Sequence, residues 1–317
     1  MTKQAVAYDI DKFLVLNGIP RGPKSKVYIV DTVNGSDNNP GTSIKSPLAS
    51  LEAAYALTVA DQHDVVIMLA GDTGNALAAA ITWSKDHTHL IGWSGNLPGM
   101  GQRVRVTGST STDLSVLVTF SGNGCIVRNV QFFNGGDADA DAGAVIVSGS
   151  RNEFTNCFFA GMGHATPAAR AGSYSLSVTG SENYFDKCTI GLDTIVRAAA
   201  NSELLLSGVR NEFHDCKFIS DSVTSGKFLV AVDNSGGDLR YNYFSGECMF
   251  YNYSENWATG IANAFDMPAA GSTHYVILGP QCFLVGVGLG WADTVTHVYG
   301  AGAAPNAGFG VSLNPTT

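Results

Sequence analysis

Charge is scarce in this sequence. Asp, Glu, Lys and Arg make up 14% of its 317 residues, well below the usual quarter. The 18 basic residues form no cluster and are outnumbered by 27 acidic ones, which leaves a net charge of −9. A chain without a cationic patch is not built for nucleic acid or for anionic membrane, and neither is expected as a partner. No apolar run approaches the length of a membrane-spanning helix, so no membrane insertion is expected. Met1 to Ile10 contain Asp9 and lack the apolar core of a secretory leader. Cytoplasmic synthesis without a signal peptide is therefore the expectation. Helical periodicity is nearly missing as well, and that excludes a helix bundle.

What is present is a phrase repeated four times. It reads Asn152-Glu153-Phe154-Thr155-Asn156-Cys157, then Asn183-Tyr184-Phe185-Asp186-Lys187-Cys188, then Asn211-Glu212-Phe213-His214-Asp215-Cys216. The fourth copy, Asn242-Tyr243-Phe244-Ser245-Gly246-Glu247-Cys248, carries one inserted residue. The offsets between the Asn residues are 31, 28 and 31. Self-similarity at this period means stacked supersecondary units. Each copy follows a β-rich run and a glycine turn, so the units are coils of short strands and the chain reads as an all-β parallel solenoid. The 37 glycines, together with Asn, are expected at the corners, where the backbone turns through positive φ. With 45% apolar residues, a long core can be filled.

Aligned positions of successive coils lie above one another, so each alignment column is a physical ladder. Asn152, Asn183, Asn211 and Asn242 form an inward polar ladder that fixes register. Phe154, Phe185, Phe213 and Phe244 form the aromatic core. Cys157, Cys188, Cys216 and Cys248, continued by Cys282, recur once per coil, and Val130 holds the same slot one coil earlier. A slot that accepts Val or Cys is a small, inward, apolar one. Buried free thiols are expected there, not disulfides, a metal site or a nucleophile. Arg151, Glu182 and Arg210 alternate in sign, as do Lys187 and Asp215, with Asp186 beneath His214. Alternating ladders of this kind suit surface ion pairing that sets coil order.

Before the coils, the sequence divides into residues 1–26, an arm punctuated by Pro20, Gly22 and Pro23, and residues 27–64. The latter hold a strand at Val27, a turn-rich run and one helical stretch in which Leu48, Leu51, Ala54 and Tyr55 share a face and which ends near His63. The coils occupy residues 65–299, roughly eight at about 30 residues each, in a column roughly 35–40 Å long. Tyr251 to Ala270 breaks the period and reads as a long loop, and residues 300–317 are a Gly/Ala/Pro-rich tail.

The segment from Val30 to Gly71 carries a resemblance. Its order is V-x-x-x-N-G-S-D-x-N-P-G-T, then Ser46-Pro47, an amphipathic helix and an apolar strand ending in Ala70-Gly71. This resembles the N-terminal part of pectate-lyase-like β-helix proteins, above all those of bacteriophage virions such as tailspikes and head-decoration proteins. The resemblance implies a single right-handed parallel β-helix, capped by a short N-terminal α-helix and assembled as a homotrimer. It further implies a location on the virion surface, after synthesis in the bacterial host cytoplasm, with other virion proteins of the capsid or tail as partners. It carries no catalytic residues with it, and no base of the pectate-lyase kind can be matched.

Three functions follow as alternatives. The first is a structural virion protein, a capsid decoration or short spike, acting by assembly and surface contact. The second is a tailspike depolymerase, a hydrolase or lyase. The third is an adhesin that binds bacterial surface glycan without cleaving it. Short flanking segments and regular coils favour the first, so enzymatic activity is not expected. If there is chemistry, Glu153 and Glu212 are the candidate pair. They share a column two coils apart, roughly 9.5 Å, within the separation of inverting glycosidases, with Tyr184 between them. Asp137, Asp139 and Asp141 are candidate oxygen ligands for Ca²⁺, although the set lacks the Glu that would complete an EF-hand. No other cofactor is expected.

Overall fold

The computed structural model describes residues 10, 12–71, 74–94, 104–108, 113–137, 142–223, 226–233, 241–253, 260–268, 274–288, 290–292, 298–300 and 311–312. The strands wind into three parallel sheets of ten, nine and eight strands. Every strand pairs with its counterpart one coil away, as in a parallel β-helix. The solenoid makes about seven turns, one fewer than the roughly eight coils expected. Among the described residues no helix is long and apolar enough to cross a membrane.

The repeated phrase belongs to the ten-stranded sheet. Glu153 pairs with Tyr184, Tyr184 with Glu212, and Glu212 with Tyr243, with Phe154, Phe185, Phe213 and Phe244 alongside in register. The four Phe rings are fully buried and stack at centroid distances of 4.9, 4.7 and 5.0 Å, within 11° of parallel. Parallel in-register pairing puts like side chains one rung apart, which is the spacing an offset stack prefers.

Each three-residue strand is bracketed by two bends in the left-handed region, and apart from Asn156 the residues there are not the Gly and Asn expected. Arg151, Glu182 and Arg210 hold φ of 59°, 62° and 56° at the first bend. Asn156, Lys187 and Asp215 hold 51°, 52° and 51° at the second. This conformation costs a non-glycine residue roughly 1–2 kcal/mol. Inter-coil hydrogen bonds offset it: the N–H groups of Arg151, Glu182, Asn156 and Lys187 donate to Ser181, Val209, Asp186 and His214 at 2.9 to 3.1 Å. The side chains at these bends are then free to alternate in charge. Glu182 lies between Arg151 at 2.7 Å and Arg210 at 2.6 Å.

All six cysteines are free and buried. In the ladder each thiol donates to the carbonyl of a residue one coil earlier, Cys188 to Phe154 at 3.3 Å and Cys216 to Phe185 at 3.4 Å. The slot is thus apolar and small, and it also supplies a weak donor to a strand carbonyl. Cys125 stands outside this series. It occupies the rung below Asn152 in the Asn ladder, where its backbone N–H donates to Asn152 Oδ1 at 2.8 Å.

The capping helix runs from Leu51 to Leu57, shorter than expected. Ser50 is its N-cap, accepting from the Ala53 N–H. Asp37 of the N-G-S-D run braces that cap: Oδ1 accepts the Ala49 and Ser50 N–H groups and Oδ2 the Ser50 hydroxyl. Gly35 of the same run lies so close to Leu48 that a Cβ would sit 2.1 Å from its carbonyl oxygen. Leu51 and Ala54 close the open end of the core, covering strand ends that would otherwise template pairing. Residues 12–16 are helical too, a feature the sequence did not announce. The stretch after Tyr251 is more regular than expected: Met249–Tyr253 and Asn263–Asp266 are strands in register with neighbouring coils, while residues 254–259 lie outside the described residues.

One charged cluster is wholly interior. Arg197, Glu203 and Lys227 are fully buried. Glu203 Oε1 accepts from Arg197 Nε at 2.9 Å, from Ser220 Oγ at 3.0 Å and from Lys227 Nζ at 3.2 Å. Burial alone would raise the Glu203 carboxyl, but Arg197 and Lys227 bring it down to about 2. Burial lowers the Lys227 ammonium to about 8 despite the pull of Glu203.

Candidate functional site

The outer face of the ten-stranded sheet is divided in two. Over the first coils it is apolar, with Ile29, Val65, Ile67, Ile91 and Ile126, and the N-terminal segment covers it through Phe13, Leu14 and Ile19. Phe13 stacks on Trp93 at 5.0 Å. The cover ends at Arg128, whose guanidinium donates to the Asn17 carbonyl and pairs with Glu153 at 2.5 Å. Among the described residues the face beyond Arg128 is open.

That open half is tyrosine-rich. Register places Glu153, Tyr184, Glu212, Tyr243, Ile277 and Tyr299 in one column, and Tyr241 above Tyr275 in the next. Tyr184, Tyr241 and Tyr299 are exposed. Tyr241 and Tyr275 lie 6.3 Å apart and Tyr275 and Tyr299 5.6 Å apart, the latter edge to face. Tyr275, Ile277, Tyr299 and Gly300 line an open pocket of about 260 Å³ at the far end of the stripe. Partial burial first, then Asp186 and Glu212, push the Tyr184 phenol up to about 12, so it stays a neutral hydrogen-bonding group at ordinary pH.

The structure puts Glu153 and Glu212 where the repeat placed them, on either side of Tyr184, and gives each a partner. Glu153 Oε1 takes Arg128 and the Thr155 hydroxyl at 3.0 Å. Glu212 Oε1 accepts from Ser245 Oγ at 2.7 Å, and Ser245 Oγ lies 2.9 Å from His214 Nδ1. With its hydroxyl proton given to Glu212, Ser245 can only accept from that nitrogen, so His214 carries its proton on Nδ1. The result is a directed relay from imidazole to hydroxyl to carboxylate.

Beside it, ligand atoms of Asp186, His214 and Asp215 converge to within 4.8 Å of one another. Lys187 Nζ lies 3.1 Å from Asp186 and 3.9 Å from Asp215. A side-chain ammonium already supplies the positive charge there. Of the three Ca²⁺ candidates, Asp137 is exposed and its N–H donates to Asp113 Oδ1 at 3.2 Å. Asp139 and Asp141 lie outside the described residues. His164, in a glycine-rich loop, is an N-cap whose ring accepts from the Thr166 N–H. Sequence reasoning found the Glu–Tyr column but missed Tyr275 and Tyr299, which follow no copy of the phrase. Their only sequence signal is their position in short β-rich runs, Tyr275-Val276-Ile277-Leu278 and Val298-Tyr299.

No protein-family model matches the chain, and no curated protein does. Solved structures do. Pectin methylesterase PemA from Erwinia chrysanthemi superposes with a TM-score of 0.55 at 16% identity, over 90% of this chain and 92% of that one. A pectin methylesterase in complex with hexasaccharide VII gives 0.53 at 15% identity, with the same coverage. Pectate lyase Pel9A gives 0.56 at 17% identity, over 85% of this chain and 64% of that one. At these identities the likeness is one of fold: the chain has the pectate-lyase-like parallel β-helix.

Proposed function

We propose that this β-helix is a contact protein that binds a polysaccharide along the open half of its ten-stranded sheet without cleaving it, as a structural component of a bacteriophage particle. One observation carries the binding: five tyrosines, Tyr184, Tyr241, Tyr243, Tyr275 and Tyr299, on the outer face of four strands, with Glu212 on the strand between Tyr184 and Tyr243. The rungs are about 4.8 Å apart, so an extended sugar chain lying across the strands meets an aromatic or carboxylate group at nearly every step. Aromatic faces take the apolar C–H side of a sugar ring, and the phenol and carboxylate oxygens take its hydroxyls. Neighbours of the same fold are pectin-processing enzymes, one of them solved with a hexasaccharide, which supports carbohydrate as the ligand class.

Binding is favoured over cleavage because both members of the carboxylate pair are committed, Glu153 to Arg128 and Glu212 to Ser245. The phage setting rests on the resemblance of Val30 to Gly71. Affinity electrophoresis in gels containing bacterial capsular or lipopolysaccharide glycans, run with a reducing-end assay, tests the reading. Retardation without new reducing ends is expected, weakened roughly tenfold, or about 1.4 kcal/mol, by Tyr184→Ala or Tyr243→Ala. New chain ends released at many turnovers would make the protein a depolymerase instead. Mass spectrometry of virions from a phage encoding the chain should find it in tens of copies or more; its absence from particles would overturn the phage assignment.

A further inference from the structure

At the edge of the tyrosine face, three ligand-bearing side chains meet, and what they can do does not depend on whether that face holds a glycan. Asp186 and His214 occupy neighbouring rungs of one column, and Asp215 follows His214 at the bend. They are the one group of three potential metal ligands that converges among the described residues. Two carboxylates with one imidazole suit borderline divalent ions of the zinc class better than all-oxygen ions such as calcium.

The imidazole distinguishes this group from a solvated acidic patch. Its Nδ1 proton goes to Ser245 Oγ at 2.9 Å, and Ser245 is in turn held by Glu212 at 2.7 Å. In the neutral ring Nε2 therefore carries the lone pair. It faces Asp215 Oδ2, another acceptor, at 3.5 Å. Two lone pairs so placed repel unless a cation lies between them. The separation is long for a hydrogen bond. It is close to the ligand-to-ligand edge of a zinc tetrahedron, about 3.3 Å. Metal-bound histidines are oriented in this way, with the second ring nitrogen donating to an oxygen outside the coordination sphere.

Asp215 is oriented as well. The Glu247 N–H donates to Oδ1 at 2.9 Å, which leaves Oδ2 for the shared position. That donor is there because the fourth copy of the phrase carries its extra residue at this point. Gly246, at φ 63°, lies over Asp215, and a Cβ would sit 2.2 Å from Oδ1 and 2.9 Å from His214 Cε1. The repeat is thus broken where a side chain would crowd the group. Lys187 Nζ holds both Asp186 oxygens, at 3.1 and 3.2 Å, but stays 3.9 Å from Asp215. Its side chain is 47% exposed and can swing into water when a cation takes over its charge.

We infer that Asp186, His214 and Asp215 bind one divalent transition-metal ion of the zinc class, with Lys187 as the cation it displaces. The ion ties two neighbouring strands together at their bend and leaves its remaining position to water.

The test is titration calorimetry of the full chain with zinc chloride at about pH 7, with calcium and magnesium chloride as controls. Uptake of one zinc ion per chain is expected, and neither control should bind with comparable affinity. His214→Phe should abolish uptake. Asp215→Asn should weaken it at least about tenfold. Asn156 holds the same bend two coils earlier with the same φ of 51°, so this variant keeps the fold and decides the matter if His214→Phe does not fold. Lys187→Met removes the competing ammonium and should tighten binding severalfold. Nitrogen-15 spectra of the zinc-free protein at about pH 8 should show the Nδ1–H tautomer of His214. No zinc uptake, equal uptake of calcium, affinity unchanged in Asp215→Asn or in Lys187→Met, or the Nε2–H tautomer would overturn the inference.

Discussion

Asn183 Oδ1 accepts the backbone N–H of Asn152 at 2.9 Å while Asn183 Nδ2 donates to the carbonyl of Gly149 at 3.1 Å. One side chain thus satisfies two buried backbone groups of the preceding coil. Asn211 does the same for Asn183 and Gly180, and Asn242 for Asn211 and Gly208.

Replacing Asn183 by Ala leaves both groups buried and unpaired. At about 1–3 kcal/mol each, Asn183→Ala should lower the unfolding free energy by about 2–6 kcal/mol. Urea denaturation followed by circular dichroism measures this. A loss no larger than that of an exposed surface substitution would mean that water reaches the ladder.

Gly180 belongs to the same device. A Cβ there would sit 1.9 Å from the Gly149 carbonyl oxygen, the atom that Asn183 holds. Gly180→Ala must push that carbonyl away, so a loss above about 2 kcal/mol is expected. At Gly226 a Cβ meets nothing closer than 3.7 Å, and Gly226→Ala should stay within about 0.5 kcal/mol of wild type. Equal melting temperatures for the two variants would sink the steric argument.

The interior cluster gives an asymmetric pair. Glu203→Gln leaves Arg197 and Lys227 buried without their counter-charge and should cost about 3–5 kcal/mol. Lys227→Met leaves Arg197 and Glu203 matched one to one and should cost far less. The pH dependence has a defined sign. The Glu203 carboxyl is held at about 2, below its ordinary 4.5, so its contribution is present above pH 4.5 and is lost as pH falls toward 2. The Lys227 ammonium sits at about 8, below 10.5. Between those values the unfolded chain keeps a proton that the folded one has released, so wild type should gain on Lys227→Met as pH rises through that window. Melting curves of both variants from pH 2 to pH 10 read this out, and a flat difference between wild type and Lys227→Met would contradict it.

Burial raises the thiols of Cys157, Cys188 and Cys248 well above their ordinary value, and that of Cys125 to about 11. In an Ellman assay at pH 8 these four thiols of the native protein should therefore not react, and all six should react in guanidinium chloride. One fast-reacting thiol in the native state would show that the ladder opens at that rung.

The phrase from Asn152 to Cys248 was legible because a parallel ladder places one residue per rung in an unchanging environment, so chemistry repeats with the coil. Asn, Phe and Cys each fill one such environment, and their spacing disclosed both fold and register. The bends were misjudged because Arg151, Glu182 and Lys187 reach positive φ through hydrogen bonds to the next coil, which composition cannot show. The Arg197–Glu203–Lys227 cluster was invisible for a related reason. Arg197 ends one strand, Glu203 lies near the start of the next and Lys227 comes one coil later, and charged residues read as surface until a structure encloses them. On the candidate face, Glu153, Tyr184 and Glu212 could be aligned from the repeat. Tyr275 and Tyr299 join them only through strand pairing beyond its last copy.

The N-terminal cover has a consequence for how the chain is made. Asn17 meets Arg128 across 111 residues of sequence, and the apolar seat for Leu14 and Ile19 includes Ile91 and Ile126. The segment around Leu14 and Ile19 therefore has no complete seat until Arg128 has emerged and four rungs of the ten-stranded sheet are in place. During synthesis this segment waits for a residue 111 positions downstream, then closes over the early rungs from outside while later coils are still being added.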